Sequence, residues 1–192
     1  MDSSQTNALV KEFQSGNKEA FGELYELYIR PIYNFVYYKT HHKETAEDLT
    51  SQVFMKAYRA AVGFESEKGT FQAWLYQIAR NAVIDHYRSV RPTRDIEDVW
   101  DLSGNENIER DTDNLLLLGK VKEQLRGFSV EQRDIVIMRV WQELSYTEIA
   151  EILGKSEASC KMSFSRSIKK LREAIPDAML VLIALLTLKN NI

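Results

Sequence analysis

Between positions 155 and 173 the chain carries six cations, Lys155, Lys161, Arg166, Lys169, Lys170 and Arg172, against two anions, Glu157 and Glu173. At helical spacing Lys161, Ser165, Arg166, Lys169 and Arg172 share one face, while Cys160, Phe164, Ile168 and Leu171 share the other. A row of cations and hydroxyls backed by an apolar stripe suits holding phosphates and touching base edges, not making or breaking bonds. The alternative is a solvated charged face on an ordinary helical hairpin. The residues in front of this helix favour the first reading. Ser145-Tyr146-Thr147-Glu148 is a capping box, in which the serine hydroxyl accepts from the N–H three residues on and the glutamate reaches back. Tyr146, Ile149, Ala150 and Leu153 then face inward, Gly154 stands where a left-handed residue ends a helix, and Ser156 caps the next. The sequence therefore predicts a helix-turn-helix over 145–172, its second helix suited to a major groove.

Patterns for catalysis do not assemble. Gly154-Lys155-Ser156 matches the end of a P-loop, but the position its first glycine would occupy is Ile149. His41 and His42 are adjacent, so on a helix they diverge, and His86 stands apart. No Cys-x-x-Cys, His-Glu-x-x-His or Gly-x-Ser-x-Gly occurs. The expectation is a chain without catalysis, metal, cofactor or small-molecule substrate. With 44% hydrophobic and 28% charged residues, the composition is that of a soluble globular protein. A net charge of −3 excludes a protein coated in positive charge, so nucleic acid would be met through local patches. The single cysteine, Cys160, suits a reducing cytosol and lies on the apolar stripe as a core residue. The opening residues lack the basic and apolar runs of a secretory signal, which points to the cytoplasm.

In chain order, 1–16 reads as an N-terminal extension. The first strong element spans 17–38, where Phe21, Leu24, Tyr25, Tyr28, Ile32, Phe35 and Val36 make a buried face. Pro31 inside it predicts a kink, a break, or two helices end to end. A second helix over 45–62 turns Ala46, Leu49, Val53, Ala57 and Ala61 inward, widened by Phe54 and Tyr58. Its outer face mixes Glu47, Asp48, Ser51, Gln52, Met55, Lys56 and Arg59, either solvated or a docking surface for protein. A glycine-bounded loop over 63–69 follows. Thr70 then caps a helix over 71–88 that buries Phe71, Trp74, Leu75, Ile78, Ala79 and Ala82. Arg80, Asn81, Asp85, His86, Tyr87 and Arg88 are left for the surface or the far end. Aromatics interleaved with cations near one loop can stack unpaired bases, although from composition alone a plain three-helix core with its usual aromatic filling is the better reading.

From 91 to 113 eight acidic residues stand against three basic ones and helical periodicity is lost, which predicts a linker between two small helical domains. The second domain opens on Leu115, Leu118, Val121 and Leu125. A second capping box, Ser129-Val130-Glu131-Gln132, then starts a helix bearing Ile135, Val136, Met138 and Trp141. Past Pro176 the segment 178–188 is almost wholly apolar but would span only about 16 Å as helix, against about 30 Å of bilayer hydrocarbon. It packs on the second domain, fills a partner's groove, or lies at a membrane surface. The expected fold is all-α, divided as 17–91, linker 92–113, 114–175 and tail 176–192.

Two stretches go beyond a generic helix-turn-helix. The run from Ala46-Glu47-Asp48-Leu49 to Lys56-Ala57-Tyr58, followed by Thr70-Phe71-Gln72-Ala73-Trp74-Leu75 through Arg80-Asn81, resembles the first domain of extracytoplasmic-function (ECF) sigma factors. Leu144-Ser145-Tyr146-Thr147-Glu148-Ile149-Ala150 through Gly154, with Arg166 and Lys170-Leu171-Arg172 behind it, resembles their second. The resemblance implies a dissociable subunit that directs bacterial core RNA polymerase to particular promoters, with promoter DNA as second partner and an anti-sigma factor left open as a third. It implies that Asp48, Ser51, Gln52 and Lys56 dock on the polymerase. Phe64, Lys68, Thr70, Phe71, Trp74, Arg80, Asn81 and Arg88 would serve the minus-ten element, with a flipped base in the loop. Ser156, Ser159, Lys161, Met162, Ser163, Ser165, Arg166 and Lys169 would serve the minus-thirty-five element. The acidic linker would thread the RNA exit path. Ser51-Gln52 stand where Gln-Glu is usual, and Ser163 where arginine is common. Two other readings are a stand-alone helix-turn-helix regulator and a protein that binds polymerase without using DNA.

Overall fold

The computed structural model describes residues 3–90, 124–125 and 127–174, and every regular element among them is helical. The chain divides into two compact units, 1–90 and 91–192, with Trp74 in the first and Trp141 in the second. The acidic linker, the helix start at Leu115, Leu118 and Val121, and the apolar tail lie outside the described residues.

The first unit holds four α-helices: α1 (Ser3–Gln14), α2 (Glu19–Thr40), α3 (Lys43–Ala60) and α4 (Phe71–Val90). The segment 1–16, read from sequence as an extension, contains α1, which buries Thr6, Leu9, Val10 and Phe13 at helical spacing. Phe13 joins Phe21 and Tyr58 in an aromatic cluster with ring centroids 5.0–5.2 Å apart. Helix α2 runs through Pro31 without interruption, so the two-helix alternative does not hold. The ring removes one backbone bond, and Tyr28, Ile32 and Phe35, all buried, pin the helix on both sides of it.

The corner between α2 and α3 uses both adjacent histidines. His41, at φ 49°, ends α2 by donating its N–H to Tyr37 O at 2.7 Å. His42 caps α3, its ring Nδ1 accepting from Thr45 N–H at 3.3 Å. Helix α4 is latched to α2 where Tyr87 Oη donates to Lys39 O at 2.7 Å. Of the two places the sequence reading left for Tyr87, the surface or the far end of the helix, it takes the far end and is buried there.

The second unit shows α5 (Val130–Val140), α6 (Tyr146–Leu153) and α7 (Glu157–Ala174). Both predicted capping boxes form, Ser129 with Gln132 and Ser145 with Glu148. The core gathers Phe128, Ile135, Met138, Ile149, Cys160 and Leu171. Arg133 is buried as well, donating to Phe128 O at 2.8 Å and closing the turn before α5. Nothing in the apolar periodicity announces that arginine.

Candidate nucleic-acid interface

In the second unit the site is built by chain ends of helices. Glu148 N–H donates to Ser145 Oγ at 3.2 Å and Ser145 N–H to Glu148 Oε2 at 2.7 Å, which fixes where α6 begins. Gly154 ends it at φ 63°, its N–H turned back to Ala150 O and Glu151 O. Ser159 N–H then donates to Ser156 Oγ at 3.2 Å, so Ser156 serves α7 as a cap. The predicted turn and both helices are present.

On α7 the residues assigned from sequence, Ser156, Ser159, Lys161, Met162, Ser165, Arg166 and Lys169, are exposed, and Ser163 is half-buried. Their cations are not equivalent. Lys161 pairs with Glu157, whose carboxylate also accepts from Thr147 Oγ1 at 3.1 Å. The Lys161 and Thr147 hydrogen bonds hold the Glu157 carboxyl below its ordinary range. Lys169 lies 3.9 Å from Glu173, and Lys155 is tied to Glu131 at 3.2 Å. Lys170, though exposed, donates to Gly127 O at 3.0 Å with its ammonium 5.1 Å from the Phe128 ring centroid. Arg166 has no ion-pair or hydrogen-bond partner among the described residues. Cys160 is fully buried, and burial pushes its thiol up, which keeps it a packing residue.

In the first unit, the loop between α3 and α4 carries two 3₁₀ turns, Ala61–Gly63 and Ser66–Lys68. Phe64 and Trp74 are half-buried, with centroids 5.3 Å apart. Phe71 packs against both at 5.6 and 5.3 Å but is only 1% exposed. The resemblance made it a candidate for DNA, and here it forms the floor under Phe64 and Trp74. Thr70 Oγ1 accepts from Ala73 N–H at 3.2 Å, a cap as predicted. Lys68 pairs with Glu65 at 2.9 Å, and Arg88 lies 3.9 Å from Asp85. Asn81 is exposed and Arg80 half-buried on the same helix. Burial lowers the pKa of His86, keeping its ring neutral.

The outer face of α3 presents Asp48, Ser51, Gln52 and Lys56, all exposed, with Ser51 Oγ donating to Glu47 O at 2.9 Å. Beside it lies an open groove of about 480 Å³ lined by Tyr25, Ser51, Phe54, Met55, Tyr58 and Arg59. The sequence reading turned Tyr25 and Tyr58 inward; they are 39% and 40% exposed, and Met55 is 56% exposed. Tyrosine at the edge of a helical stripe has an apolar ring and a polar tip, so periodicity alone could not assign it. A polar helix face bordered by exposed aromatic and methionine side chains has the composition of a protein interface.

A helix-turn-helix with a basic outer face, following a helical unit with an exposed aromatic and methionine groove and an aromatic loop, is the make-up of a DNA-directed binding protein. Comparison with known proteins identifies its family. Residues 24–93 match the family model for Sigma-70 region 2, and 118–171 match that for Sigma-70, region 4. ECF RNA polymerase sigma factor BldN of Streptomyces coelicolor is 35% identical over 180 residues, covering 92% of this chain and 68% of that one. RNA polymerase sigma factor YlaC of Bacillus subtilis is 30% identical over 166 residues, covering 82% and 92%. The solved structure of CnrH in complex with the cytosolic domain of CnrY shares the fold, with a TM-score of 0.66 at 22% identity over 92% of this chain and 99% of that one. The chain belongs to the ECF group of RNA polymerase sigma factors and directs transcription initiation, with core RNA polymerase and promoter DNA as its partners.

Proposed function

We propose that the two units divide promoter recognition between them. In the first, Asp48, Ser51, Gln52 and Lys56 on α3 dock on core polymerase, with the adjoining apolar groove extending that contact. The loop 63–70 and the exposed side of α4 take the minus-ten element: Phe64 and Trp74 offer ring surface to an unpaired base, and Lys68, Arg80, Asn81 and Arg88 hold the strand. In the second unit, the outer face of α7 reads the minus-thirty-five element, with Arg166 as its leading contact. The protein performs no bond chemistry of its own and acts in the cytoplasm. Among the described residues no helix is long and apolar enough to cross a membrane.

The observation that carries this reading is the exposed face of α7, presented by a doubly capped turn in a chain whose first unit bears a loop of half-buried aromatics. The energetics agree. Separating stacked base pairs costs about 1.4 kcal/mol per step, and an aromatic surface returns about 1–3 kcal/mol per captured base. A few bases are held open on binding alone, without ATP. A protein partner that covers these faces belongs to the same reading; CnrH, which shares the fold, was solved in complex with the cytosolic domain of CnrY.

Selection of promoter DNA by reconstituted polymerase tests it, followed by run-off transcription from the selected sequence. Arg166→Ala is expected to weaken promoter use while polymerase binding stays intact. Loss of both together would end the proposed division.

A further inference from the structure

Gln14 is the last residue of α1 and lies far along the chain from the loop after α3. Its side-chain amide donates to Phe64 O at 2.7 Å and Ala61 O at 3.0 Å, with Val62 O at 3.4 Å. Three carbonyl oxygens converging on one end of an amide require that end to be the NH2 group, and its two hydrogens go to the two nearer ones. Gln14 is itself exposed, but the helix that carries it is packed. Leu9, Val10 and Phe13 bury α1 against the first unit, and Thr6 shares a buried hydrogen bond of 3.1 Å with Tyr28 Oη. Gln14 is therefore a fixed point on a packed helix, and what it grips is the backbone of the segment that aims Phe64.

The gripped segment is otherwise shaped by the packing of Phe64 on Phe71 and Trp74 and by local bonds. Phe64 N–H donates to Ala61 O at 3.1 Å and Lys68 N–H to Glu65 O at 3.0 Å, both within the loop. The Lys68–Glu65 ion pair is likewise local and exposed. We infer that Gln14 is a positioning residue for promoter opening: by holding the carbonyls of Ala61 and Phe64 it sets the loop so that the Phe64 ring stands ready beside Trp74 for a base leaving the duplex. This rests on the reading of the loop given above and adds to it a residue from outside both the loop and α4.

The test uses the full chain with core polymerase on its selected promoter, comparing Gln14→Glu, Gln14→Lys and Phe64→Ala. Glutamate keeps the shape but replaces the donor by an acceptor; lysine loses the shape but restores a donor within reach. Opening is read by permanganate reactivity of unpaired thymines on duplex template, and transcription is measured on a template already mismatched across the minus-ten element. Gln14→Glu is expected to lower opening about tenfold, the scale of one or two lost hydrogen bonds. Polymerase affinity and transcription from the mismatched template should stay at the parental level, and Gln14→Lys should recover most of the opening. Equal loss on both templates would mean a merely weakened fold and overturn the inference, as would parental opening by Gln14→Glu. If Gln14→Glu opens normally while Phe64→Ala does not, only this inference falls. If Phe64→Ala opens like the parent, the loop reading falls and takes the inference with it.

Discussion

The two units hold their candidate DNA residues by different means. In the first, Phe64 and Trp74 are part of an aromatic cluster floored by buried Phe71, and the loop is gripped by a side chain from a distant helix. In the second, the exposed residues of α7 make almost no contribution to the core, and their placement comes from two capping motifs and one left-handed glycine. A surface built from core packing is exacting about which side chains it accepts. A surface built from caps tolerates change in its outward residues, so long as the turn survives. Strand capture by Phe64 and Trp74 would therefore be the constrained function, and the face of α7 the freer one on which promoter preference can vary.

The sharpest way to break that contrast is a cavity in the first unit. Phe35, fully buried and packed on Tyr76 with centroids 5.2 Å apart, is the position to truncate. Phe35→Ala should destabilise that unit by about 3–5 kcal/mol, read by urea denaturation, and abolish polymerase binding. A second-unit transition that shifted equally would show the two are not independent. Next comes Gly154→Ala. A Cβ there would meet nothing within 4 Å, so its whole effect is the φ of 63°. A loss of about 1–2 kcal/mol follows from forcing a non-glycine residue into that region, visible as a lower thermal midpoint for the second unit and weaker minus-thirty-five use. Ser145→Ala should cost about 1 kcal/mol through its lost cap, with the same readout.

Charge replacements sharpen the contrast further. Arg166→Ala should leave the fold intact and flatten the salt dependence of promoter binding by about one unit of slope, as for one phosphate contact. Lys170→Ala should do the reverse, lowering stability through the lost Gly127 and Phe128 contacts while leaving the slope unchanged. The smallest effect concerns pH. His86 is half-buried and its folded pKa is lowered by desolvation, so below about pH 6.5 the unfolded chain takes up a proton that the folded one resists. The stability present above that pH should decline as the pH falls toward the folded value. His86→Gln should remove this component from the pH profile of the thermal midpoint.

The helix-turn-helix was legible in advance because its determinants are local. Ser145, Glu148, Gly154 and Ser156 act within a few residues of themselves, and each does in the structure what its type and spacing imply. What escaped was set by distant partners. Helix α1 was missed because Leu9, Val10 and Phe13 form a short stripe with Thr6 as its fourth member, and that buried threonine shares a hydrogen bond with distant Tyr28. Tyr25 and Tyr58 sit at the margin of their stripes, where a neighbouring helix decides between core and groove. Lys170 counted toward the local excess of positive charge over 155–173, and only the fold shows its ammonium spent on a carbonyl and a ring.

The grip of Gln14 on the loop also sets an order of assembly. It joins residues 47 and 50 positions apart, a closure that follows the docking of α1, whereas the capping boxes of the second unit close over three residues each. Contacts between remote segments form late in folding and local ones early. On refolding of the complete chain from denaturant, the capping boxes of the second unit would thus close before the strand-capturing loop, and fraying of α1 would release that loop from its grip.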